Sequence, residues 1–196
     1  MNRIILASSS PRRKELLSQL IGNNFEIINS KYEENNNLQF SPSKLVKEHA
    51  YGKARDVANK LENGIVIGCD TLVFYESHVL GKPKTVEKTK EMLIMLSGKE
   101  IKVLSGICMI DTKKNIVLIE SVVTKLNVKI LSKEEIENYV KFESPSDKAG
   151  GFGIQDRGAT FIEKINGDYN NIVGLPLFKL NEMFKELGVD IYDFKK

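Results

Sequence analysis

The chain has 196 residues, of which 41% are apolar, 28% charged and 8% aromatic, and its formal net charge is +3. This length and composition suit one ordinary globular core, while the charge falls short of the dense basic stripe of a nucleic-acid-coating protein yet allows a local cation cluster for a small anion. No apolar run approaches the ~20 residues that span a bilayer, Arg12, Arg13 and Lys14 follow a very short apolar stretch with no long apolar region after them, so no signal peptide is expected, and two cysteines (Cys69, Cys108) with two histidines (His49, His78) are too few for a disulfide framework, a His-based zinc site or a Ser–His triad.

A reducing, cytoplasmic setting is therefore expected. In chain order, "RIILA" (Arg3–Ala7) reads as a buried strand. Pro11 then occupies the first turn of a helix whose apolar face is Leu16, Leu17 and Leu20, with Gly22 suited to its end. "FEIIN" (Phe25–Asn29) reads as a second strand, and "EENNN" (Glu33–Asn37) as a loop. Ser41 and Pro42 open a long helix in which Leu45, Val46, His49, Ala50, Lys53, Ala54, Val57, Ala58 and Leu61 recur at helical spacing. Lys53 thus falls on a mostly apolar face, where snorkelling outward is the simplest expectation.

"GIVIGCD" (Gly64–Asp70) is a continuous apolar run ending in an acid, and "TLVFY" continues it in extended form. Thr85 caps a helix to Leu96, which Ser97-Gly98 stops. Two long strands flank a hairpin loop at Asp111–Asn115. Ser132 and Glu135 form a capping box for a helix to about Phe142. A glycine-dense segment, "DKAGGFGIQDRG", precedes a strand over Phe161–Ile165, the turn Asn166-Gly167, and a last helix over Leu177–Leu187. Helices and strands are interspersed, so the class is α/β or α+β, and the long strands around the Asp111–Asn115 loop suggest an antiparallel part, hence an α/β fold with a mixed sheet; no linker divides residues 1–196, which are read as a single domain.

Five features could carry chemistry. Ser8-Ser9-Ser10-Pro11-Arg12-Arg13 joins a strand to a helix. It serves equally as a serine-capped start with solvated arginines or as an anion seat, where N–H groups at the positive helix end and bidentate arginines would hold phosphate. Asp70, at the end of a buried strand, either closes that strand with an Asx turn or binds Mg²⁺ or acts as a base. Glu33-Glu34 is a solvated acidic loop or the source of one metal ligand. Lys53, Lys82 in "GKP" and Lys148 are cations, of which Lys82 sits in a fixed turn. The glycines of Gly150–Gly158 permit close approach to a ligand or a bend, and Gln155 among them could read a base edge. Together these are cations, one or two carboxylates and glycine loops without a nucleophile–base pair, equipment for a metal-bound polyphosphate rather than for acyl transfer.

"LASSSPRRKELL", "GCDTLV", "GKP", "LSGK", "DKAGGFGIQ" and "GDYNNIVGLPL" occur in the order and at the spacing of the Maf family of nucleoside triphosphate pyrophosphatases, which the chain resembles from about Arg3 to Leu187. The resemblance implies a bilobal α/β fold with a long mixed sheet flanked by helices and a cleft between the lobes. It also implies cleavage of a nucleoside triphosphate between the α and β phosphates, with a divalent cation, Mg²⁺ or alternatively Mn²⁺. Carried over by position, Asp70 matches the catalytic acidic residue, the proton acceptor, and is taken as a metal ligand as well, while Glu34 matches the loop carboxylate that helps hold the metal. Ser8, Arg13, Lys53 and Lys82 match the phosphate-binding positions. Arg12, Thr71 and Gln155 match three positions that separate substrate classes, and their combination resembles the branch acting on dTTP and UTP.

The alternatives are another nucleotide preference such as 7-methyl-GTP, or a nucleotide-binding regulator of septum formation that needs no catalysis. The expected partner is a nucleoside triphosphate, with no membrane and no nucleic acid; a homodimer is compatible with that expectation. Ile101 and Cys69 depart from the family pattern, where a histidine and a small residue are common.

Overall fold

A computed structural model of the chain describes residues 3–37, 39–143 and 148–194. Seven strands pair in one sheet: β1 (Ile4–Leu6), β2 (Glu26–Ile27), β3 (Ile65–Tyr75), β4 (His78–Leu80), β5 (Glu100–Asp111), β6 (Ile116–Val128) and β7 (Ile162–Asn166). The order is β2-β1-β3-β5-β6-β7, and β4 pairs with β3 off that path. β1 runs parallel to both β2 and β3, while β3–β4 and β6–β7 are antiparallel. The sheet is therefore mixed, as expected from the interspersed helices. The helices are α1 (Pro11–Ile21), α2 (Pro42–Ala58), α3 (Val86–Leu96), α4 (Lys133–Phe142), α5 (Tyr169–Val173) and α6 (Leu177–Glu186). None of the helices among the described residues is long and apolar enough to cross a membrane.

The chain forms two compact units. The first comprises residues 1–71, 104–122 and 170–196, the second 72–103 and 123–169.

In the first unit the helix starts follow local chemistry. Ser10 and Ser41 accept from the backbone N–H groups of Arg13 and Lys44, and a proline follows each cap. Gly22 takes φ 64° and donates to Ser18 O, closing α1. α2 buries Leu45, Val46, His49, Ala50, Ala54, Val57 and Ala58. Its alanines pack with Ile5, Ala7, Val66, Cys108 and Ile110 in one apolar cluster, in which each buried large side chain contributes about 1.5–3 kcal/mol.

Gly68 on β3 and Gly106 on β5 let α2 lie directly on the sheet. A Cβ at Gly68 would sit 2.7 Å from the Ala54 nitrogen, and one at Gly106 2.7 Å from the Lys47 nitrogen. The two cysteines are fully buried and unpaired. Burial pushes the Cys69 thiol up, and pushes Cys108 up to about 12. Neither should react with a thiol reagent at neutral pH until the protein is denatured; labelling of either in the native protein within minutes would contradict this packing.

In the second unit, Thr85 caps α3, and α4 opens on the capping box of Ser132 and Glu135. α3 packs on α4 and on the short turn Ala149–Gly151. Tyr139 meets Phe161 edge-on at 4.7 Å between ring centroids, a geometry aromatic quadrupoles favour. Ile101 is buried in β5 at 1% exposure, so the departure from histidine places an apolar side chain in the core.

Three features were not legible in sequence. The segment expected as a strand over Phe25–Asn29 pairs only at Glu26–Ile27; the residues are half-buried or exposed there, which gives them little to pack against. β4 and α5 are short, and below about five residues periodicity carries no signal. The glycine-dense segment is a pair of 3₁₀ turns, Ala149–Gly151 and Arg157–Phe161; its Asp147 lies outside the described residues.

Candidate functional site

In the first unit, Asp70 and Thr71 follow the buried start of β3, and Lys53 sits in the middle of α2 over the same face. The Lys53 ammonium does not snorkel to solvent. Its Nζ lies 2.6 Å from Asp70 Oδ1 and 2.6 Å from Glu34 Oε1. The side chain of Asp70 is 4% exposed, that of Lys53 12% and that of Glu34 39%. One cation thus bridges two carboxylates at the edge of the core.

Burial would raise the Glu34 carboxyl, but the hydrogen bond and charge of Lys53, with the charge of Arg13 beyond it, hold it below its ordinary value. Asp70 Oδ2 is buried and makes no hydrogen bond. A carboxylate oxygen left this way is costly, so the position is one a ligand would satisfy.

This donor set fits one kind of metal. Mg²⁺ is held through one or two carboxylates and completes its shell with phosphate oxygens and water. Asp70 and Glu34 match that requirement, and the unpartnered Oδ2 supplies a coordinating atom. No cluster of three or more His, Cys, Asp or Glu side chains suited to a metal occurs among the described residues, so these residues offer a partial shell that substrate would complete.

A second network adjoins the first through Thr71. Arg13 donates from Nε to Gly174 O at 2.9 Å, from Nη1 to Ser8 Oγ at 3.3 Å and from Nη2 to Thr71 Oγ1 at 3.3 Å. Thr71 Oγ1 also pairs with Ser105 Oγ at 2.8 Å, and Ser105 lies 3.3 Å from Asn171 O. Gly174 O further accepts from Cys69 Sγ at 3.2 Å. Gly174 takes φ +129°, which a residue with a side chain rarely adopts, and so turns its carbonyl toward the guanidinium.

Arginine carries five N–H donors, so the three bonds fix the plane of Arg13 and leave two donors beyond them. Ser8 Oγ accepts from Ser10 N as well, which ties the serine loop to the same network. Ser105 and Gly174 were not singled out from sequence. The only signal was the V-G-L-P run, and a lone buried serine in an apolar strand has none.

The remaining candidates are placed as follows. Arg12 is exposed on the first turn of α1, next to Arg13. In the second unit, Lys82 is exposed on the turn after β4, and the neighbouring Gly81 O accepts from Gly150 N at 3.4 Å. Gln155 is exposed as well. Its neighbour Asp156 orders the glycine segment by accepting from Gly158 N at 2.7 Å, from Tyr139 OH at 3.4 Å and from Lys148 Nζ. Tyr139's hydroxyl is correspondingly raised in pKa, first by burial and then by the charge of Asp156.

Comparison with known proteins covers the whole chain. The family model described as Maf-like protein matches residues 3–187. A protein of Methanococcoides burtonii named dTTP/UTP pyrophosphatase is 47% identical over 193 residues, covering 98% of this chain and 99% of the relative. A protein of Alkaliphilus oremlandii with the same name is 48% identical over 188 residues, covering 94% and 96%. Among solved structures, the Staphylococcus aureus Ham1 protein aligns with a TM-score of 0.52 over 95% of this chain and 100% of that one, at 14% identity, a likeness of fold alone. With nearly its full length matched by the family model and close to half its residues shared with those relatives, the chain belongs to the Maf-like protein family.

Proposed function

We propose that this chain is a nucleoside triphosphate pyrophosphatase that hydrolyses dTTP and UTP to the monophosphate and pyrophosphate. The observation that carries the chemistry is the buried Asp70 with Oδ1 held by Lys53 and Oδ2 left without a hydrogen-bond partner. The choice of substrate is supported by the names of the relatives, which match over nearly all of both chains, and by Arg12, Thr71 and Gln155.

In the proposed reaction, a water oxygen forms a bond to the α phosphorus. The bond from that phosphorus to the α–β bridging oxygen breaks, and pyrophosphate leaves with the electron pair. Asp70 Oδ2 orients the water and takes its proton. Lys53 holds the Glu34 carboxyl below its ordinary value and sets one positive charge between the two carboxylates it bridges. Arg13, held flat by Gly174, Ser8 and Thr71, presents its remaining donors to phosphate oxygens in a fixed plane. Lys82 is proposed for charge on the phosphates and Gln155 for the base edge, each on the chemistry of its side chain. A divalent cation, Mg²⁺ or Mn²⁺, held by Asp70 and Glu34 would supply charge neutralisation on the triphosphate. A cytoplasmic site of action accords with such a substrate and with free, buried cysteines.

The test is an assay of the purified protein with dTTP, UTP and 7-methyl-GTP. With Mg²⁺, pyrophosphate should appear from dTTP and UTP. Chelating the metal should lower the rate at least about 100-fold, restored by added Mg²⁺ or Mn²⁺. Orthophosphate as the released product would overturn α–β cleavage, and preference for 7-methyl-GTP would overturn the pyrimidine assignment.

A further inference from the structure

Glu34 is borne by a loop with no secondary structure of its own between Ser30 and Asn37. A carboxylate on such a segment would lose much conformational freedom each time it met a cation. The loop, however, lies along α2 and is fastened to it at successive turns. Asp56 accepts from Lys31 N at 2.7 Å and from Ser30 Oγ at 3.2 Å. Lys53 takes Glu34 itself. One turn further toward the helix start stands His49, which is 0% exposed although it is a polar residue on an apolar helix face.

Both nitrogens of that imidazole are used, and both partners come from the loop. Nδ1 lies 3.1 Å from Tyr32 Oη, and Nε2 lies 3.1 Å from Asn36 Oδ1. Asn36 Oδ1 can only accept, so Nε2 carries the hydrogen and Nδ1 receives the tyrosine hydroxyl. A single tautomer satisfies both bonds. Tyr32 and Asn36 stand two residues before and two residues after Glu34. The tyrosine ring lies over Gly52, where a Cβ would come within 2.5 Å of Tyr32 Cδ2 and 2.6 Å of Cζ. A larger residue at that position would push the ring off the helix.

We propose that His49, Tyr32 and Asn36 form a latch that positions Glu34, the buried imidazole pinning the loop symmetrically on either side of the carboxylate. None of the three touches substrate in this account. They act through Glu34, by holding its reach to Lys53, the cation it shares with Asp70, before any ligand arrives, so that ordering cost is met in folding rather than in binding. The activity part of this inference rests on the pyrophosphatase reading; the structural part does not.

The test uses Tyr32→Phe combined with Asn36→Ala, which removes both loop partners but leaves the tyrosine ring, His49 and Glu34 in place. A thermal melt within a few degrees of the parent confirms the fold. Amide hydrogen exchange in the protein without metal or nucleotide should then show residues 31–37 less protected by on the order of tenfold, the scale of two lost hydrogen bonds, with α2 unchanged. Equal protection in variant and parent overturns the latch.

In the assay, the Mg²⁺ concentration for half-maximal dTTP turnover should rise by on the order of tenfold, while kcat at saturating Mg²⁺ changes less than about threefold. In a Glu34→Gln background the same two substitutions should shift that concentration less than about twofold, because the residue they act through is gone. A full-sized shift in that background overturns the assignment to Glu34. If the parent protein hydrolyses neither dTTP nor UTP, the proposed function fails, and the exchange measurement alone decides the latch.

Discussion

Asp70→Asn should lower turnover of dTTP and UTP by roughly 10²–10⁴-fold while leaving the protein folded. Asparagine matches aspartate in size, so the 3%-exposed position keeps its packing, and the amide oxygen can still accept from Lys53. What changes is charge. The neutral amide places an NH₂ where Asp70 Oδ2 stood without a partner, and that group neither takes a proton from water nor coordinates a cation. Lys53, which bridges two carboxylates, is left with Glu34 as its one charged partner.

The effect should appear in kcat, with the thermal midpoint shifted by a few degrees at most. Turnover within about threefold of the parent would show that the chemistry does not pass through Asp70. A nucleotide-binding regulator without required catalysis would differ in just this respect: its cellular effect would survive the substitution.

Gly106→Val should destabilise the fold by about 3 kcal/mol or more, lowering Tm by roughly 6–12 °C. The reason is backbone against backbone. Gly106 on β5 faces the Val46 carbonyl and the Lys47 nitrogen, and Gly68 on the adjacent strand β3 faces the Ala50 carbonyl and the Ala54 nitrogen. Val46 and Ala50 are one helical turn apart, so the two glycines seat consecutive turns of α2. A side chain in either seat meets atoms that cannot rotate away, and the helix must lift.

Lifting α2 also bears on the site. Gly68 and Asp70 are two residues apart on one strand and share a face, and Lys53 reaches Asp70 from α2. The smaller change Gly68→Ala should accordingly cost activity as well as stability. Gly81→Ala is the control. Nothing lies within 4 Å of a Cβ there, so thermal stability should change by less than about 0.5 kcal/mol. An equal loss from Gly81→Ala and Gly106→Val would contradict the seating of α2 on glycines.

Local rules read well from this chain because they depend on neighbours in sequence. Ser10-Pro11, Ser41-Pro42, Thr85 and the Ser132–Glu135 box each start a helix where expected, since a cap needs only the N–H groups two or three residues ahead. The long strands announced themselves by continuous apolar runs. β4 and α5 did not, because three to five residues without a continuous apolar run hold too little pattern, and β2 was expected but with longer bounds than it has. Lys53 is instructive: helical spacing placed it correctly on the apolar face, but spacing cannot say what lies opposite. Outward snorkelling, the simpler alternative to a phosphate-binding role, is not what the structure has: the ammonium lies nearly buried between Asp70 and Glu34.

Sequence by itself thus determined the α/β class, the helix starts, the buried strands and, through motifs spread from Arg3 to Leu187, the family. All of these follow from residue type and short-range order along one chain. Tertiary structure alone decided which distant residues share hydrogen bonds. Arg13 meets the carbonyl of Gly174, 161 positions away, and Thr71 meets Ser105, 34 positions away. His49 turned from one apolar-face position among several into the clasp of the Glu34 loop. The physical reason is that such bonds are set by where strands register and helices seat. Those are collective outcomes of packing, and Asn36 and Ser105 carry no mark of them in their own surroundings in the sequence.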